Sequence, residues 1–591
     1  MIDELRQDVS FALRQLRSAP AFTIVAAATL ALGIGANSAI FALVDATLLR
    51  PLPYAEPERL VTIWETSAAT PRGFASPLNM IDWESRGRSF EKIAGYTPSM
   101  GNMVMPGNDG NALTVSRQWV TAGIFDVLGV RPIAGRTFTA EDEQQRASVV
   151  VLSEGLWETR FNRDPGLIGQ EIRLDGSLWR VVGVMPRHFE ILGRTSMWAM
   201  RPMVNLPPRA RTAYQLQVVG RMKPGIALAA AQADLAAVAA GLATEFPEFN
   251  KGRTVTLEPM HDTVIGSDLK TTSMLFLGVV GFVLLICCAN VANLMLARAT
   301  ARARELAVRS ALGAGRRRII RQLLTESVVL SIVGGVLGIG VGAAILRVAP
   351  VLIPDGILPA TVILAFDLRV VAFCAVAAFI VGVVFGIAPA FQATAVAPVE
   401  AMGADSRTTT GSGGQVRQLL VVGEVATAVV LLFGAGLLLR TLLAVQSYDR
   451  GYRAGSVLTM LVDPLGGQGE QLLQFYDRVE AEVRAVPGVA DIGWSTGLPL
   501  GESIFGEYPF HYEVVGDAPV EVSRKPTTAF QIVSPSYFST LDLPIVAGRA
   551  FGTQDRQGTP RVVIVNEAFA RSLGARNPIG LQIVVKPVDA A

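Results

Sequence analysis

Long apolar segments recur along the chain and divide it into membrane and extramembrane parts. A bilayer core about 30 Å thick needs about 20 apolar residues at the rise of an α-helix. Five segments meet this requirement: 22–43, 274–296, 325–348, 370–391 and 419–443. Long mixed stretches follow the first and the fifth segments. The pattern predicts a multi-pass α-helical membrane protein with five spans and two extramembrane domains.

The extramembrane stretches carry both strand and helix patterns. Residues 180–184 and 215–219 read as strands, and residues 253–257 alternate in the manner of a strand. Residues 227–245 show helical apolar spacing, which ends before Pro247. Both extramembrane domains are therefore expected to be α/β.

Composition supports the membrane class. Half of the 591 residues are hydrophobic and 17% are charged, whereas soluble domains carry about 25% charged residues. The formal net charge of +2 argues against a nucleic-acid partner held through phosphate contacts. The cysteines lie inside apolar segments and the histidines stand far apart, so we predict no disulfide, metal site or cofactor.

The placement of arginine predicts the orientation. The loop between the second and third segments holds eight arginines against one acid, Glu305. Short loops rich in Lys and Arg face the cytoplasm. Parity then puts the N-terminus inside and both large domains outside, which means the periplasm for a protein of a bacterial inner membrane. A cleaved signal peptide is disfavoured for the first segment because its apolar run exceeds the 7–15 residues of such signals.

These features divide the chain into seven parts. They are an amphipathic cytoplasmic leader, a first span, a first periplasmic domain, a three-span domain, a cytoplasmic linker, a fifth span and a second periplasmic domain. The corresponding ranges are 1–21, 22–48, 49–270, 271–392, 393–417, 418–444 and 445–591.

One unit occurs twice. Residues 123–138 are echoed by residues 536–551 at an offset of 413 residues, and the same offset pairs Asp142 with Asp555. The first copy contains a span, a domain and three more spans, whereas the second contains a span and a domain. We infer a duplicated protein that is truncated at its C-terminal end, with the second periplasmic domain incomplete.

The sequence offers little catalytic chemistry. A P-loop requires Gly-Lys followed by Ser or Thr, and the sequence has no Gly-Lys dipeptide. Gly493-Trp-Ser495-Thr-Gly497 formally matches the nucleophile elbow of hydrolases, which needs a preceding strand and a following helix. Pro499 disfavours such a helix, so we expect no enzyme and keep a hydrolase using Ser495 as an alternative.

Polar and small residues inside the spans suggest contacts between helices. Asn290 and Asn293 are predicted to form interhelical hydrogen bonds. Glu424 in the fifth span is an intramembrane acid, which marks either a functional site or a side chain that reaches the nearby interface. Close helix packing is expected at small residues of the third span: Gly334, Gly335 and Gly338.

The basic loop itself reads as a short helix, a break at residues 313–315 and a second helix. Arg304, Glu305 and Arg309 would present charges beside Leu306 and Val308, which are available for packing. From charge alone, a docking surface and a simple orientation signal are equally compatible with this pattern.

This loop resembles the coupling segment of FtsX-like permeases of MacB-type ABC transporters. Its sequence from Arg304-Glu305 to Gly313-Ala314 is similar to the pattern R-E-x-x-x-R-x-A-x-G-A of that family, and Glu326 after it also matches. Residues 386–401 and 221–225 resemble further family signatures. Residues 31–54 and 424–440 are similar to the acidobacterial duplicated orphan permeases (ADOP).

The resemblance implies the function of the chain. It would be the permease subunit of an ABC transporter for efflux or export, with no nucleotide site of its own. A separate cytoplasmic ATPase would dock on a coupling helix at about residues 298–315 that includes Arg304, Leu306, Val308 and Gly313. A second permease copy or a periplasmic adaptor are further compatible partners. The alternative is a membrane sensor or scaffold whose periplasmic domains bind a ligand without net transport.

Overall fold

The computed structural model gives two compact units. One combines Met1–Arg50 with Ile265–Tyr448, and the other combines Pro51–Val264 with Asp449–Ala591. The described residues are 2–67, 70–98, 101–106, 112–187, 189, 195–302, 305, 315–352, 362, 364, 366–393, 413–448, 451–452, 454–460, 462, 469–497, 510–518, 520, 526–552, 554–556 and 558–587.

The α-helices are numbered in chain order. They are α1 (Ile2–Ser18), α2 (Pro20–Val44), α3 (Pro77–Arg86), α4 (Ile124–Leu128), α5 (Ala140–Gln144), α6 (Glu154–Phe161), α7 (Leu228–Glu245), α8 (Pro247–Asn250), α9 (Met260–Ala301), α10 (Arg316–Leu352), α11 (Leu368–Ala393), α12 (Gly413–Ser447), α13 (Glu470–Arg484), α14 (Tyr537–Thr540) and α15 (Glu567–Ser572). A π-helical turn, Asp45–Leu49, continues α2.

The strands are also numbered in chain order. They are β1 (Leu60–Thr66), β2 (Phe90–Tyr96), β3 (Gly101–Pro106), β4 (Ala112–Val120), β5 (Ala134–Gly135), β6 (Val149–Ser153), β7 (Glu171–Leu174), β8 (Ser177–Met185), β9 (Met197–Met200), β10 (Gln217–Met222), β11 (Thr254–Pro259), β12 (Phe510–Val514), β13 (Thr527–Thr528) and β14 (Ile583–Pro587).

Each of the five predicted apolar segments lies inside a helix of the first unit. Among the described residues, four helices are long and apolar enough to cross a membrane: Pro20–Leu49, Met260–Arg298, Arg317–Ala349 and Val421–Ser447. The apolar part of α11, Leu368–Val384, is shorter. The structure therefore supports a membrane protein with four candidate spans, and the fourth predicted span, in α11, stays a prediction.

Helix α9 is interrupted near the boundary between the two units. Gly266 has φ of 71° and ψ of 157°, a backbone conformation that glycine adopts without the steric cost of a β-carbon. The break separates residues 260–265 from the apolar part of the helix. The first periplasmic domain predicted from sequence (residues 49–270), here called the first outer domain, thus connects to the second apolar segment through a non-helical residue. The second predicted domain (residues 445–591) is called the second outer domain.

Glycines bring α10 close to two neighbouring helices. A β-carbon on Gly334 would lie 2.6 Å from Leu30 Cβ of α2, and one on Gly338 would lie 3.2 Å from Ile34 Cβ. On another side of α10, a β-carbon on Gly335 would lie 2.8 Å from Ala378 Cβ of α11. Because a larger residue would push the helices apart, these glycines set the packing distance.

Two residues of α2 make polar contacts with neighbouring helices. Asn37 Nδ2 donates to the carbonyl oxygen of Val280 in α9 at 2.7 Å, and Ser38 Oγ lies 2.7 Å from Cys374 Sγ in α11. Asn293 is half-buried, and its Oδ1 has no hydrogen-bond partner among the described residues. Among the described contacts, an interhelical hydrogen bond is thus made by an asparagine of α2, and the bonds expected of Asn290 and Asn293 stay predictions.

Helix α12 has few neighbours within its unit. Its apolar side chains are mostly exposed, and Glu424 is half-buried. A β-carbon on Gly434 or Gly436 would meet no atom within 4 Å. These two glycines of α12 are therefore uncovered in this structure, in contrast to Gly334, Gly335 and Gly338 of α10.

The first outer domain is built on a mixed sheet with the order β11-β1-β10-β2-β4-β9-β6-β8-β5, with β3 paired to β4 and β7 paired to β8. Strands β11, β1, β10 and β2 are antiparallel to their neighbours. Trp83 of α3 and Leu235 of α7 belong to the core against these strands. The strands and the helix predicted from sequence in this domain are all present, with ends shifted by a few residues.

The second outer domain contains a sheet of order β13-β12-β14 among its described residues. Tyr512, Val514 and Leu573 form its small buried cluster. Asn566 caps α15 by accepting a hydrogen bond from Phe569 N, as Ser153 caps α6 by accepting from Leu156 N. These two caps occupy equivalent positions in the two copies of the repeat.

The repeat also preserves a bidentate contact, here called the Arg–Asp clip. Arg136 donates to both carboxylate oxygens of Asp142 at 2.5 and 3.0 Å, and Arg549 donates to Asp555 at 2.6 and 2.7 Å. In both copies Nη1 also donates to the carbonyl oxygen of the next residue at 3.0 Å. The two segments therefore share side-chain geometry as well as sequence.

The clip of the second outer domain gives a pH-dependent expectation. Hydrogen bonding from Arg549 lowers the pKa of Asp555 to about 2, below the ordinary value of about 3.9. The stabilisation from the clip is therefore complete above about pH 4 and is lost as the pH falls towards 2. We expect Arg549→Gln to remove this acid dependence, measured as pepsin cleavage within residues 451–587.

The matched control is Arg556→Gln, which removes an exposed arginine seven residues along the chain. It should keep the steep increase in cleavage of the wild-type protein between about pH 4 and about pH 2. Equal pH profiles for both variants would show that the clip does not stabilise this domain.

Ser495 does not lie on a nucleophile elbow. Residues 491–494 before it are not in a strand, and its Oγ donates to the carbonyl oxygen of Gly497 at 2.6 Å. The region after Gly497 lies outside the described residues. The missing strand removes the context that the hydrolase alternative requires.

Candidate functional site

A buried carboxylate lies near the start of α10, next to the basic loop. Glu326 is 3% exposed. Its Oε1 lies 3.0 Å from Arg298 Nη1, and its Oε2 accepts a hydrogen bond from Arg302 Nη1 at 3.3 Å. The contact between Arg298 and Glu326 is an ion pair without a hydrogen bond between these two atoms. Two arginines from the end of α9 thus converge on one acid of α10.

Arg302 also contacts Glu305, which is the one described residue between positions 303 and 314 of the basic loop. Its Nε donates to Glu305 Oε2 at 3.0 Å. Burial alone would lower the pKa of Arg302, but hydrogen bonds and charge attraction from Glu305 and Glu326 outweigh it and raise that pKa, which keeps the guanidinium charged. Glu305 is therefore connected to Glu326 through a single arginine.

The leader helix α1 joins the same cluster. Asp8 is buried, and its Oδ2 accepts a hydrogen bond from Arg321 Nε of α10 at 2.8 Å. Arg298 Nη2 donates to the carbonyl oxygen of Gln15 at 2.9 Å, and its guanidinium stacks on Phe22 of α2 at 4.6 Å from the ring centroid. Side chains and backbone of four helices therefore meet at one place.

We call this group the loop-end cluster and define it by its charged side chains: Asp8, Arg298, Arg302, Glu305, Arg321 and Glu326. It holds three arginines against three acids, so its charges balance locally. A buried ion pair costs desolvation energy, and removing one partner leaves an uncompensated charge. The cluster therefore fixes the helix ends on both sides of the basic loop relative to each other.

The structure places only part of the predicted coupling segment. Glu305 and Glu326 lie in the loop-end cluster, 21 residues apart in the chain. The remaining predicted residues lie outside the described residues: Arg304, Leu306, Val308, Arg309 and Gly313. Asn290, Asn293 and Glu424 do not belong to the cluster.

Sequence reasoning missed the role of four cluster members. Arg298 and Arg302 fall within the predicted coupling range of about 298–315 without a role of their own, Arg321 enters only through the count of arginines, and Asp8 is not among the predicted site residues. The signal for Asp8 is its position on the apolar face of an amphipathic helix. Ala12 and Leu16 form this face and are buried, and Asp8 lies on the same face and is also buried. An acid on the packed face of a helix predicts a buried cation as its partner.

The described residues contain no group of three His, Cys, Asp or Glu side chains that could hold a metal ion. The polar groups of the loop-end cluster are engaged with each other. The chemistry of the cluster is therefore mechanical and electrostatic, since its charges join helices.

Comparison with known families decides the identity of the chain. A profile described as MacB-like periplasmic core domain matches residues 23–238 and 419–589, and one described as FtsX-like permease C-terminal matches residues 277–398. The chain belongs to the family of FtsX-like, MacB-type permeases. The first profile matches twice and begins within an apolar helix each time, which agrees with the internal repeat.

The names of several curated relatives of this permease combine an ATP-binding part with a permease part. It is 27% identical over 318 residues to the macrolide export ATP-binding/permease protein MacB of Escherichia coli K12, which covers 52% of this chain and 46% of that protein. It is 27% identical over 321 residues to the protein of the same name from Neisseria gonorrhoeae, covering 53% and 47%. The chain spans about half the length of these relatives.

Solved structures similar to this permease are extramembrane domains. The periplasmic region of MacB from Actinobacillus actinomycetemcomitans matches with 17% identity and a TM-score of 0.26, covering 35% of this chain and 90% of that one. The extracellular domain of the ABC-type transporter YknZ from Gram-positive bacteria matches with 14% identity and a TM-score of 0.25, covering 33% and 99%.

Proposed function

We propose that this chain is the permease part of an ABC-type exporter and that a separate cytoplasmic ATPase drives it through the loop between α9 and α10. The observation that carries the proposal is the loop-end cluster, in which buried Glu326 joins both helices that flank this loop. Family membership supports the transporter class. Export is inferred because the curated relatives carry that word in their names.

The proposal includes the membrane arrangement predicted from sequence. It has five spans, with α11 as the fourth, and the N-terminus and the basic loop in the cytoplasm. Both outer domains are periplasmic, and the protein lies in a bacterial inner membrane. The arginines of the loop support this orientation, since positively charged loops stay on the cytoplasmic side.

Transmission would be mechanical. A displacement of the loop would act on α9 and α10 together, because Arg298 of α9 and Arg302 directly after it are paired with Glu326 of α10. It would pass from α10 to α2 and α11 through the contacts at Gly334 and Gly335. Helices α2 and α9 continue directly into the first outer domain, so their movement would reach that domain along the chain.

The loop assignment is tested by co-purification with the ATPase encoded nearest to this gene. We expect Arg304→Ala and Glu305→Ala each to reduce recovery of the ATPase by at least about tenfold, which corresponds to about 1.4 kcal/mol of binding free energy. The reason is that both charges lie on the segment proposed to dock.

The control is Arg317→Ala, which removes an exposed arginine from the start of α10. This variant keeps the loop and loses the same charge as Arg304→Ala. Recovery of the ATPase should stay within about twofold of the wild-type value if docking depends on the specific segment. Unchanged recovery with the two loop variants would disprove the coupling assignment.

A further inference from the structure

A second ion-pair group lies at the ends of α2 and α11 that are remote from the loop-end cluster. Asp45 follows α2 and is 2% exposed. Its Oδ2 accepts a hydrogen bond from Arg50 Nη2 at 3.1 Å, and its Oδ1 accepts one from Arg369 Nη1 at 3.3 Å. One buried acid thus receives two arginines, one from its own segment and one from α11.

The contacts continue into a closed ring. Arg50 Nη2 also donates to Asp367 Oδ2 at 2.5 Å, and Asp367 Oδ1 accepts hydrogen bonds from the backbone N–H groups of Arg369 and Val370. Asp367 therefore caps the start of α11 and holds Arg50 at the same time. The ring alternates acids and arginines and carries no net charge.

The backbone at this place has an unusual conformation. Residues 45–49 form a π-helical turn, in which Arg50 N donates to the carbonyl oxygen of Asp45 at 2.7 Å. Such turns are rare and occur frequently at functional sites. Thr47 within the turn is fully buried, and its Oγ1 lies 3.4 Å from Ser273 Oγ of α9.

The ring includes the residue after which the chain leaves the helical unit, defined as Met1–Arg50 with Ile265–Tyr448. Arg50 is the last residue of its first segment, and Pro51 is the first residue of the other unit. Any movement that travels along α2 towards the first outer domain must therefore pass through a residue of the ring. Neither the basic loop nor the coupling segment at residues 304–314 contains any of these four residues.

We propose that Asp45, Arg50, Asp367 and Arg369 form an ionic latch that holds the end of α2 against the start of α11 and opens when the permease changes state. The opening of the latch rests on the proposed function, because a change of state of the permease is what would open it. The closed latch requires only the contacts within this chain. Because the side chains of Arg50, Asp367 and Arg369 are 32%, 35% and 59% exposed, water and salt can reach the latch.

The latch is tested by chemical labelling of the buried turn. A cysteine introduced as Thr47→Cys should react slowly with a membrane-impermeant maleimide in the full chain, because Thr47 is fully buried. Adding Asp45→Asn or Arg369→Gln should speed its labelling by at least about tenfold. The parent protein without the new cysteine gives the background from Cys287, Cys288 and Cys374.

Two further variants separate the latch from simple disruption. Asp367→Asn keeps an acceptor for the N–H groups of Arg369 and Val370 but removes the charge that holds Arg50, so labelling should still accelerate. Arg347→Gln removes an exposed arginine near the end of α10 with no ion pair among the described residues, and labelling should stay unchanged.

A salt titration tests the latch without substituting any residue of the ring, so misfolding of a ring variant cannot explain its result. Raising sodium chloride to about 1 M shortens the screening length to about 3 Å, and labelling of Thr47→Cys should accelerate as the exposed arginines are screened. The latch is disproved if neither Asp45→Asn nor Arg369→Gln changes the labelling rate of Thr47→Cys. It is also disproved if Arg347→Gln raises that rate as much as they do. The assay contains no ATPase, so its failure leaves the permease proposal standing.

Discussion

Glu326→Gln is expected to lower the free energy of unfolding of the helical unit by about 3 kcal/mol, because it leaves buried Arg298 without a carboxylate partner and leaves Arg302 with only the more exposed Glu305. The side chains of Arg298, Arg302 and Glu326 are all at most 15% exposed, so solvent screens them little. Glutamine matches glutamate in shape and can still accept the bond from Arg302, so the loss reports the charge rather than the volume.

The unfolding should be measured by SDS titration in mixed micelles with far-ultraviolet circular dichroism. All seven tryptophans lie outside the predicted spans, so fluorescence would report the outer domains instead of the helices. Glu305→Gln is the matched control, since its carboxylate pairs with the same Arg302 but is 39% exposed. Exposed pairs contribute at most about 1 kcal/mol, and an equal effect of the two variants would contradict the proposed importance of Glu326.

Gly334→Leu should separate α10 from α2. Even the first added carbon would lie 2.6 Å from Leu30 Cβ, well inside the contact distance of about 3.5 Å or more between carbon atoms. Overpacking of this kind costs about 3 kcal/mol, and here it acts on the contact through which movement of α10 would reach α2. We expect a lower SDS midpoint and loss of transport-coupled ATPase stimulation.

Gly340→Leu provides an internal comparison on the same helix. A β-carbon on Gly340 would meet no atom within 4 Å, so the substitution adds the same side chain without a clash. Leucine is a better helix former than glycine by up to about 1 kcal/mol, and this variant should therefore be as stable as the wild type or slightly more so. Similar destabilisation of both variants would show that the glycine face does not determine the packing.

The sequence predicted the helices well because a long apolar run has few alternatives in lipid. Each predicted segment lies within a helix, and the helices extend beyond it because their polar ends continue into water, as at Arg316 of α10. Three strands of the first outer domain, β8, β10 and β11, were also predicted, since runs and alternation of apolar residues give a short-range signal. The kink at Gly266 was not, because a single glycine in an apolar helix has several structural meanings.

The candidate site was predicted only in part. Glu326 was found by resemblance, whereas its partners Arg298 and Arg302 were seen as a count of charges. Asp45 and Asp367 were not found at all. They lie 322 residues apart in the chain and share Arg50 as a partner. Long-range ion pairs leave no periodic signal in one sequence, so the residues that join helices are the ones that pattern reasoning misses.

The Arg–Asp clip has a consequence for how the outer domains fold. Its partners are only six residues apart in each copy, Arg136 with Asp142 and Arg549 with Asp555, so closing the loop between them costs little chain entropy. The mixed sheet of the first domain instead joins β1 with β11, which lie nearly two hundred residues apart. Local contacts form faster than distant ones, and we expect each clip to be present while its domain is still emerging on the far side of the membrane, giving the growing chain an ordered corner before its sheet can close.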